Sequence, residues 1–302
     1  MNTDSGILIF HGVDEYDVYN TSIPFEYGGN TYLFGRVEKR EEWATSHVRL
    51  FQRVNKDEYK LVQGSMIYPL EDPCVAYVCG EYVLCGTHVQ KINGTVSIYY
   101  AYFYRGSDPL NLKYFTTGPA NMKDIRLVQM RDGRIGVFSR PRGPEIEALH
   151  GSGSIVGFTT IASLDELTPD IIAHAKKIDG LFDNGEWGGS NQAYMLLDDT
   201  IGIIGHKSRE EVDQDGIAQK IYDNIAFRFC PKTHTLLGLK TIATRSSFLP
   251  APCKVPDLKS CAFASGIVTR EDGMVDLYSG IGDVCEGRVA ITNPFGMGWI
   301  EQ

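Results

Sequence analysis

Gly29-Asn30-Thr31-Tyr32-Leu33-Phe34-Gly35 is the first of five copies of one pattern. Each copy is a turn residue, an apolar strand and a small residue six positions on. The others are GEYVLCG from Gly80, GRIGVFS from Gly133, DTIGIIG from Asp199 and GMVDLYS from Gly273. Their first residues, 29, 80, 133, 199 and 273, stand 51, 53, 66 and 74 residues apart. A strand-built repeat of about 40–50 residues or more predicts a propeller blade rather than a solenoid coil. The expected fold is all-β, a single five-bladed β-propeller over residues 1–302. The residue after each copy is Arg36, Thr87, Arg140, His206 or Gly280, and three of these five are cationic or can become so. Such a repetition predicts one cationic region shared by several blades.

A chain of 302 residues is near the upper size for one hydrophobic core, but a propeller spreads it over several blades. The 16 Tyr and 14 Phe suit half-buried strands and offer ring faces for sugars. A net charge of −9 with no long Lys/Arg run argues against nucleic acid as a partner. A cationic pocket inside an acidic protein suits a small anion instead. The seven cysteines form no CxxC pair and match no zinc spacing, so neither a metal nor an organic cofactor is expected. MNTDSGILIF lacks a basic region and a long apolar run; no signal peptide or membrane span is read there, and a cytoplasmic chain with reduced cysteines is expected.

Stretches 46–52, 82–90, 96–104 and 263–269 are rich in β-branched and aromatic residues and bounded by turn formers, so they read as strands. One stretch, 163–177, reads as a helix opened by a Ser163/Glu166 capping box, with Pro169 arguing for a short or broken helix. Residues 143–153 read as a mobile loop, and the charged stretch 209–219 as a surface loop.

Chemistry is sought in polar residues beside the repeats, because propeller strands converge at one mouth. Glu71-Asp72-Pro73 precedes a strand; it is either a turn or a carboxylic acid whose aromatic surroundings equip it as a general acid. Arg36 and Glu38 share a strand face, as a salt bridge or as a pair that binds hydroxyls. His47 and Arg49 share a face of the next strand. Ser139-Arg140-Pro141-Arg142 and Gly205-His206-Lys207 sit at equivalent repeat positions, where convergent donors suit phosphate. Within 278–283, Asp283 follows glycines that admit a ligand, or that simply make a turn. Trp187-Gly188-Gly189-Ser190-Asn191 reads as a pocket floor or a loop. No P-loop, GxSxG elbow or HExxH is present.

These stretches together resemble the β-mannoside phosphorylases of glycoside hydrolase family 130. They resemble more closely the β-1,2-mannan phosphorylase/mannosyltransferases of glycosyltransferase family 108. The likeness runs from about Val18 to Asn293. Tyr19-Asn20 with GGNTYLFGRVE is similar to the first-blade region, and Glu71-Asp72-Pro73 to the Glu-Asp-Pro-Arg signature, with Cys74 in place of its Arg. GRIGVFSRP and IGIIGHK are similar to the segments carrying a phosphate-binding Arg and His. FASGIVTREDGMVDLYSGIGD is similar to the closing segment.

What the resemblance implies is an inverting enzyme in which Asp72 is the general acid and inorganic phosphate the co-substrate. Asn20, Arg36, Glu38, Arg49 and Asp283 would hold the mannose, and Arg140, Asn191, His206, Lys207 and Tyr222 the phosphate. Lys207 and Lys177 are alternatives for the family's phosphate-binding lysine. The implied partners are a β-mannooligosaccharide with phosphate, or mannose 1-phosphate. Two other readings stay open. One is a hydrolase using Glu38, Glu71 or Asp283 as second carboxylate. The other is a propeller that binds carbohydrate without catalysis.

Overall fold

A computed structural model describes residues 4–212 and 216–300. The five repeats are one structural device. Their first residues, Gly29, Gly80, Gly133, Asp199 and Gly273, all adopt the left-handed conformation, with φ of 76°, 79°, 88°, 64° and 78°. Glycine reaches that region without strain and aspartate tolerates it, so each is a hairpin turn. The strands that follow are Asn30–Glu38, Glu81–Ile92, Ile135–Ser139, Ile201–Val212 and Met274–Ile281. Each is the second strand of an antiparallel meander. Its first strand is Glu71–Val78, Arg126–Gln129, Trp187–Met195 or Ala262–Thr269 in the later four. In the earliest meander the first strand is split, with Asp17–Tyr19 and Phe25–Tyr27 pairing with opposite ends of Asn30–Glu38.

Three meanders form separate four-stranded sheets, while the first and last belong to one ten-stranded sheet. The join lies where the chain ends meet. Ser5–Ile7 pairs antiparallel with Cys285–Thr292, and Val18 pairs with Cys285. Arg288, fully buried, locks this seam by bonding Asp57 (2.6 Å), Asp276 (2.8 Å) and Asp4 (3.0 Å). Glu71–Val78 packs beside Arg126–Gln129, that strand beside Trp187–Met195, and that one beside Ala262–Thr269.

The core is therefore a series of slabs between successive sheets. Phe103, Val137 and Ile161 fill one, Phe138, Ile203 and Phe229 the next, and Tyr194, Leu277 and Val289 another. Phe34, Leu84 and Tyr68 join the first and second sheets. Leu33, Phe51 and Tyr278 join the first to the last. Each such side chain contributes about 1.5–3 kcal/mol on burial.

Three expectations are corrected. The helix expected over 163–177 is broken at Pro169 into a 3₁₀ turn, Leu164–Glu166, and a short helix, Pro169–Ala173, without the expected capping box. Thr168 caps that helix by accepting from Ile171 N, and Ser163 caps nothing, because Pro169 takes the first helical position where its missing N–H is harmless. The 143–153 segment contains the helix Pro144–His150, closed by Gly151 at φ 75°. The charged 209–219 stretch belongs to the hairpin of Ile201–Val212 with Ala218–Cys230, where Arg209 pairs with Asp223 (2.7 Å); residues 213–215 lie outside those described.

Candidate active site

The residues after the repeats converge. Arg36, Thr87, Arg140 and His206 all line one cavity of about 380 Å³. The fifth position, Gly280, is glycine because Asn20 occupies the space. A Cβ there would stand 1.8 Å from Asn20 Oδ1, and Asn20 lines the cavity in its place.

Four acidic or amide residues at or beside this cavity have left-handed backbones: Asn20 (φ 46°), Asp72 (47°), Asp124 (57°) and Asp283 (56°). Asn and Asp are the non-glycine residues that best tolerate this region. In the Glu71–Val78 strand the ladder register shifts between Glu71 and Cys74. That bulge re-aims Asp72 out of the sheet and into the cavity.

Asp72 is 6 % exposed, and its Oδ1 accepts from Asn20 Nδ2 (2.8 Å) and Arg36 Nη1 (2.9 Å). Its Oδ2 faces Lys123 Nζ at 3.9 Å. Arg36 also donates to Glu71 (3.2 Å), to Glu38 (3.4 Å) and to Ser46 Oγ (2.7 Å), and lies over the Tyr19 ring. Burial pushes the Glu71 and Asp283 carboxyls upward, against the pull of Arg36. The carboxylates lining the cavity, Glu71, Asp72 and Asp283, thus gather around one guanidinium.

Cations and donors make up another part of the wall. Arg140 gives Nε to Gly188 O (2.5 Å) and Nη1 to Asp124 Oδ2 (2.5 Å). Burial alone would raise the Asp124 pKa, but Arg140 and Lys123 hold it well below the usual range. His206 lies between the Tyr222 and Phe263 rings, at 5.9 and 4.6 Å. Burial, then the Arg140 charge, pushes its pKa well below 6.5, so the imidazole is neutral at pH 7. Its Nδ1 bonds Asn191 Oδ1 (2.8 Å), which assigns the proton to Nδ1 and leaves Nε2 as an acceptor. The 187–191 stretch is strand, not loop. A Cβ on Gly189 would meet Arg140 Cδ at 2.7 Å, and one on Gly188 would meet His206 O at 2.3 Å.

Of the expected residues, Asn20, Arg36, Asp72, Arg140, His206, Tyr222 and Asp283 line the cavity. Four do not. Glu38 lies behind Arg36, bonded by Tyr19 (2.6 Å), Thr45 N (2.9 Å) and Lys254. Burial works against its charge, but Arg36, Lys254 and Tyr19 bring its pKa to about 2. Asn191 lies behind His206. Arg49 pairs across the ladder with Gly35, outside the wall, and Lys207 is held by Glu186 (2.8 Å). Lys177, the other lysine considered, bonds His150 (3.2 Å) and Asp179 (3.0 Å) away from the cavity.

The cavity takes Lys123, Arg142 and Lys220 as its further cations. Lys123-Asp124 stands just before the first strand of its sheet, Arg126–Gln129, while Glu71-Asp72 opens the first strand of the preceding one. Cys74 is buried and donates to Gln192 Oε1 (3.1 Å); burial raises its pKa, so it is not a thiolate. Among the described residues no cluster of three or more His, Cys, Asp or Glu is placed to hold a metal, and no helix is long and apolar enough to cross a membrane.

A family model described as "Protein of unknown function (DUF1861)" matches residues 2–297. No curated protein matches. The solved structure of a mannose phosphorylase from Leishmania mexicana, in complex with phosphate ion, is 48% identical, covers 99% of this chain and 92% of that one, and superposes with a TM-score of 0.93. A GDP-Man-dependent mannosyltransferase from the same organism is 43% identical over 99% of this chain and 94% of that one, with a TM-score of 0.91. A β-1,2-mannobiose phosphorylase from Listeria innocua shares the fold at 13% identity, a TM-score of 0.63 and 97% coverage of both chains. The chain belongs to the DUF1861 family and, by its identity to them along nearly its whole length, to the family of these Leishmania mannose phosphorylase and mannosyltransferase proteins.

Proposed function

We propose that this chain is an inverting β-1,2-mannoside phosphorylase/mannosyltransferase that interconverts a β-mannoside plus phosphate with mannose 1-phosphate and a shortened chain. One observation carries this reading: the lining carboxylates cluster at Arg36, while Arg140, Lys123, Arg142 and Tyr222 supply cations and donors for an anion. A hydrolase needs a second carboxylate to activate water, across from the acid. Glu71 shares Arg36 with Asp72, and Glu38 is tied up behind it, so neither suits that role.

Asp72 Oδ1 accepts two hydrogen bonds, so Oδ2 is the oxygen left to deliver the catalytic proton. Oδ2 delivers it to the glycosidic oxygen, directly or through a sugar hydroxyl, as the bond from that oxygen to the anomeric carbon breaks. A phosphate oxygen forms the new bond on the opposite face, giving an α-phosphate from a β-mannoside. Phosphate is already an anionic nucleophile and needs no base. Arg140, fixed by Asp124 and Gly188, directs its remaining donors at it, and His206 Nε2 accepts a hydrogen bond from the hydroxyl of a monoprotonated phosphate. Asn20, Arg36 and Asp283 hold the mannose.

The five meanders, with Ser5–Ile7 as the fourth strand of the last, support a single five-bladed propeller. All seven cysteines are free, which fits a cytoplasmic setting. The test is incubation with mannose 1-phosphate or GDP-mannose and mannose, β-1,2-mannobiose or glucose as acceptor. Acceptor-dependent phosphate release from mannose 1-phosphate, lost in Asp72→Asn, is expected. Turnover of GDP-mannose alone would replace this reading with that of a nucleotide-sugar transferase.

A further inference from the structure

The strands that carry the active site also build a second cavity at their other ends. Glu71 and Asp72 open the first cavity, while Val75, Ala76 and Tyr77 of the same strand line the second. Trp187 faces the first and Gln192 and Tyr194 the second; Phe263 faces the first and Ile267 the second. The two are separated by the hydrogen bonds of Gln192 to Cys74 (3.1 Å) and to Val75 O (3.2 Å). The second cavity measures about 350 Å³, within the range of small-molecule sites.

Its lining has two chemical parts. Phe25, Tyr77, Tyr82 and Trp299 supply rings, with Tyr77 against Tyr82 at 4.9 Å and Phe25 against Tyr82 at 5.5 Å. Glu26 and Arg53 supply opposite charges that feel each other yet form no ion pair. Among the described residues the Glu26 carboxylate accepts from Thr31 (2.5 Å), and Arg53 donates Nε to Tyr59 (3.2 Å), so each keeps capacity for a ligand. An anion would meet Glu26, a cation would meet Arg53, and an alkyl chain would strip water from both without replacing its hydrogen bonds. A neutral ring with an apolar face and a hydroxylated edge satisfies every part.

We propose that this cavity is a second, non-catalytic binding site for a pyranose unit of an oligosaccharide. Resting on the mannoside reading above, its ligand is a unit of the β-mannoside chain on which the active site works. A chain held at the far mouth stays near the enzyme between turnovers.

The three tryptophans separate the sites, since Trp43 and Trp187 line the first cavity and Trp299 the second. Trp43→Phe/Trp187→Phe leaves Trp299 as sole reporter, and Trp299→Phe leaves the other two. Each is titrated with β-1,2-mannotriose in an Asp72→Asn background that prevents turnover. Saturable change at Trp299 is expected, persisting under saturating mannose 1-phosphate and weakened about tenfold or more by Tyr77→Ala or Glu26→Gln. Those two substitutions should leave the Trp43/Trp187 titration unchanged. A response at Trp43/Trp187 with none at Trp299 overturns the second site and spares the proposed function. Silence at all three overturns both. A Trp299 response to an alkyl glycoside's aglycone or a fatty acid, and not to mannotriose, makes the cavity an apolar-ligand site and refutes the assignment to sugar.

Discussion

In the Glu71–Val78, Trp187–Met195 and Ala262–Thr269 strands, the ladder shifts register at Asp72-Pro73, Asn191 and Ser265. Beyond those points the same strands run in regular register past Tyr77, Tyr194 and Ile267. The irregular ends border a charged cavity, and the regular ends border an aromatic one. A regular ladder alternates side chains between two packed faces and leaves none free to point along the strand ends into a cavity. At Asp72 the break, with a left-handed backbone, turns a carboxylate into the cavity, whereas Asn191 and Ser265 act from behind it, on His206 and Glu286. The repeat builds the frame, and the departures from it carry the chemistry.

Asp72→Asn should cut turnover most, about 10³-fold or more, because it removes the proton and keeps the shape. An unchanged kcat would dissociate the bulged end from catalysis. Next comes the cationic wall. Arg140→Met should raise the phosphate KM about 10²-fold and cost about 1–3 kcal/mol of stability, because it removes the hydrogen-bonded partner of buried Asp124 and leaves it Arg126 at 3.5 Å. Adding Asp124→Asn should restore most of the stability, read by denaturant melts, but not the phosphate KM. Recovery of both would mean that Arg140 only neutralises Asp124.

Gly280→Ala asks how much depends on Asn20. The added methyl cannot share space with Asn20 Oδ1, so Asn20 must shift and release Asp72 Oδ1. A fall of roughly tenfold in kcat with a smaller change in KM is expected from misplaced catalytic geometry.

The smallest effect is on pH dependence. Glu286 is buried behind the Asn20 turn, accepting from Thr21 N (3.1 Å) and Ser265 Oγ (2.7 Å). Burial pushes its pKa from 4.5 up to about 8. A carboxyl whose folded pKa is raised binds its proton more tightly when folded. Its favourable contribution is complete below pH 4.5 and is lost as pH rises toward 8. Glu286→Gln should therefore flatten the melting temperature between pH 5 and 8, stabilising most at pH 8. Parallel curves for the two proteins would place the titration elsewhere.

Much of this was legible beforehand. The five turn residues, the second strand of every meander and the lining residues Arg36, Arg140, His206 and Asp283 follow from one repeat and the residues beside it, Asp72 from its Glu-Asp-Pro turn, and Asn20 and Tyr222 only from the resemblance. What was not legible depends on which neighbour reaches a residue first. Lys207 looked equivalent to the residues beside Arg140, but Glu186 claims it. Glu38 looked like a hydroxyl ligand, but Tyr19, Thr45 and Lys254, distant in sequence or on a loop, fill its oxygens. Lys123-Asp124 was missed because it precedes a strand of only four residues, Arg126–Gln129, that carries little pattern of its own.

The most direct test of the account is the anomeric configuration of the product. With β-1,2-mannobiose and inorganic phosphate, phosphorus NMR of the first turnovers should show α-mannose 1-phosphate and no free mannose beyond the equimolar leaving sugar. Formation of the β-phosphate, or release of two mannoses per disaccharide whether or not phosphate is present, would contradict a single displacement by phosphate with Asp72 as the acid.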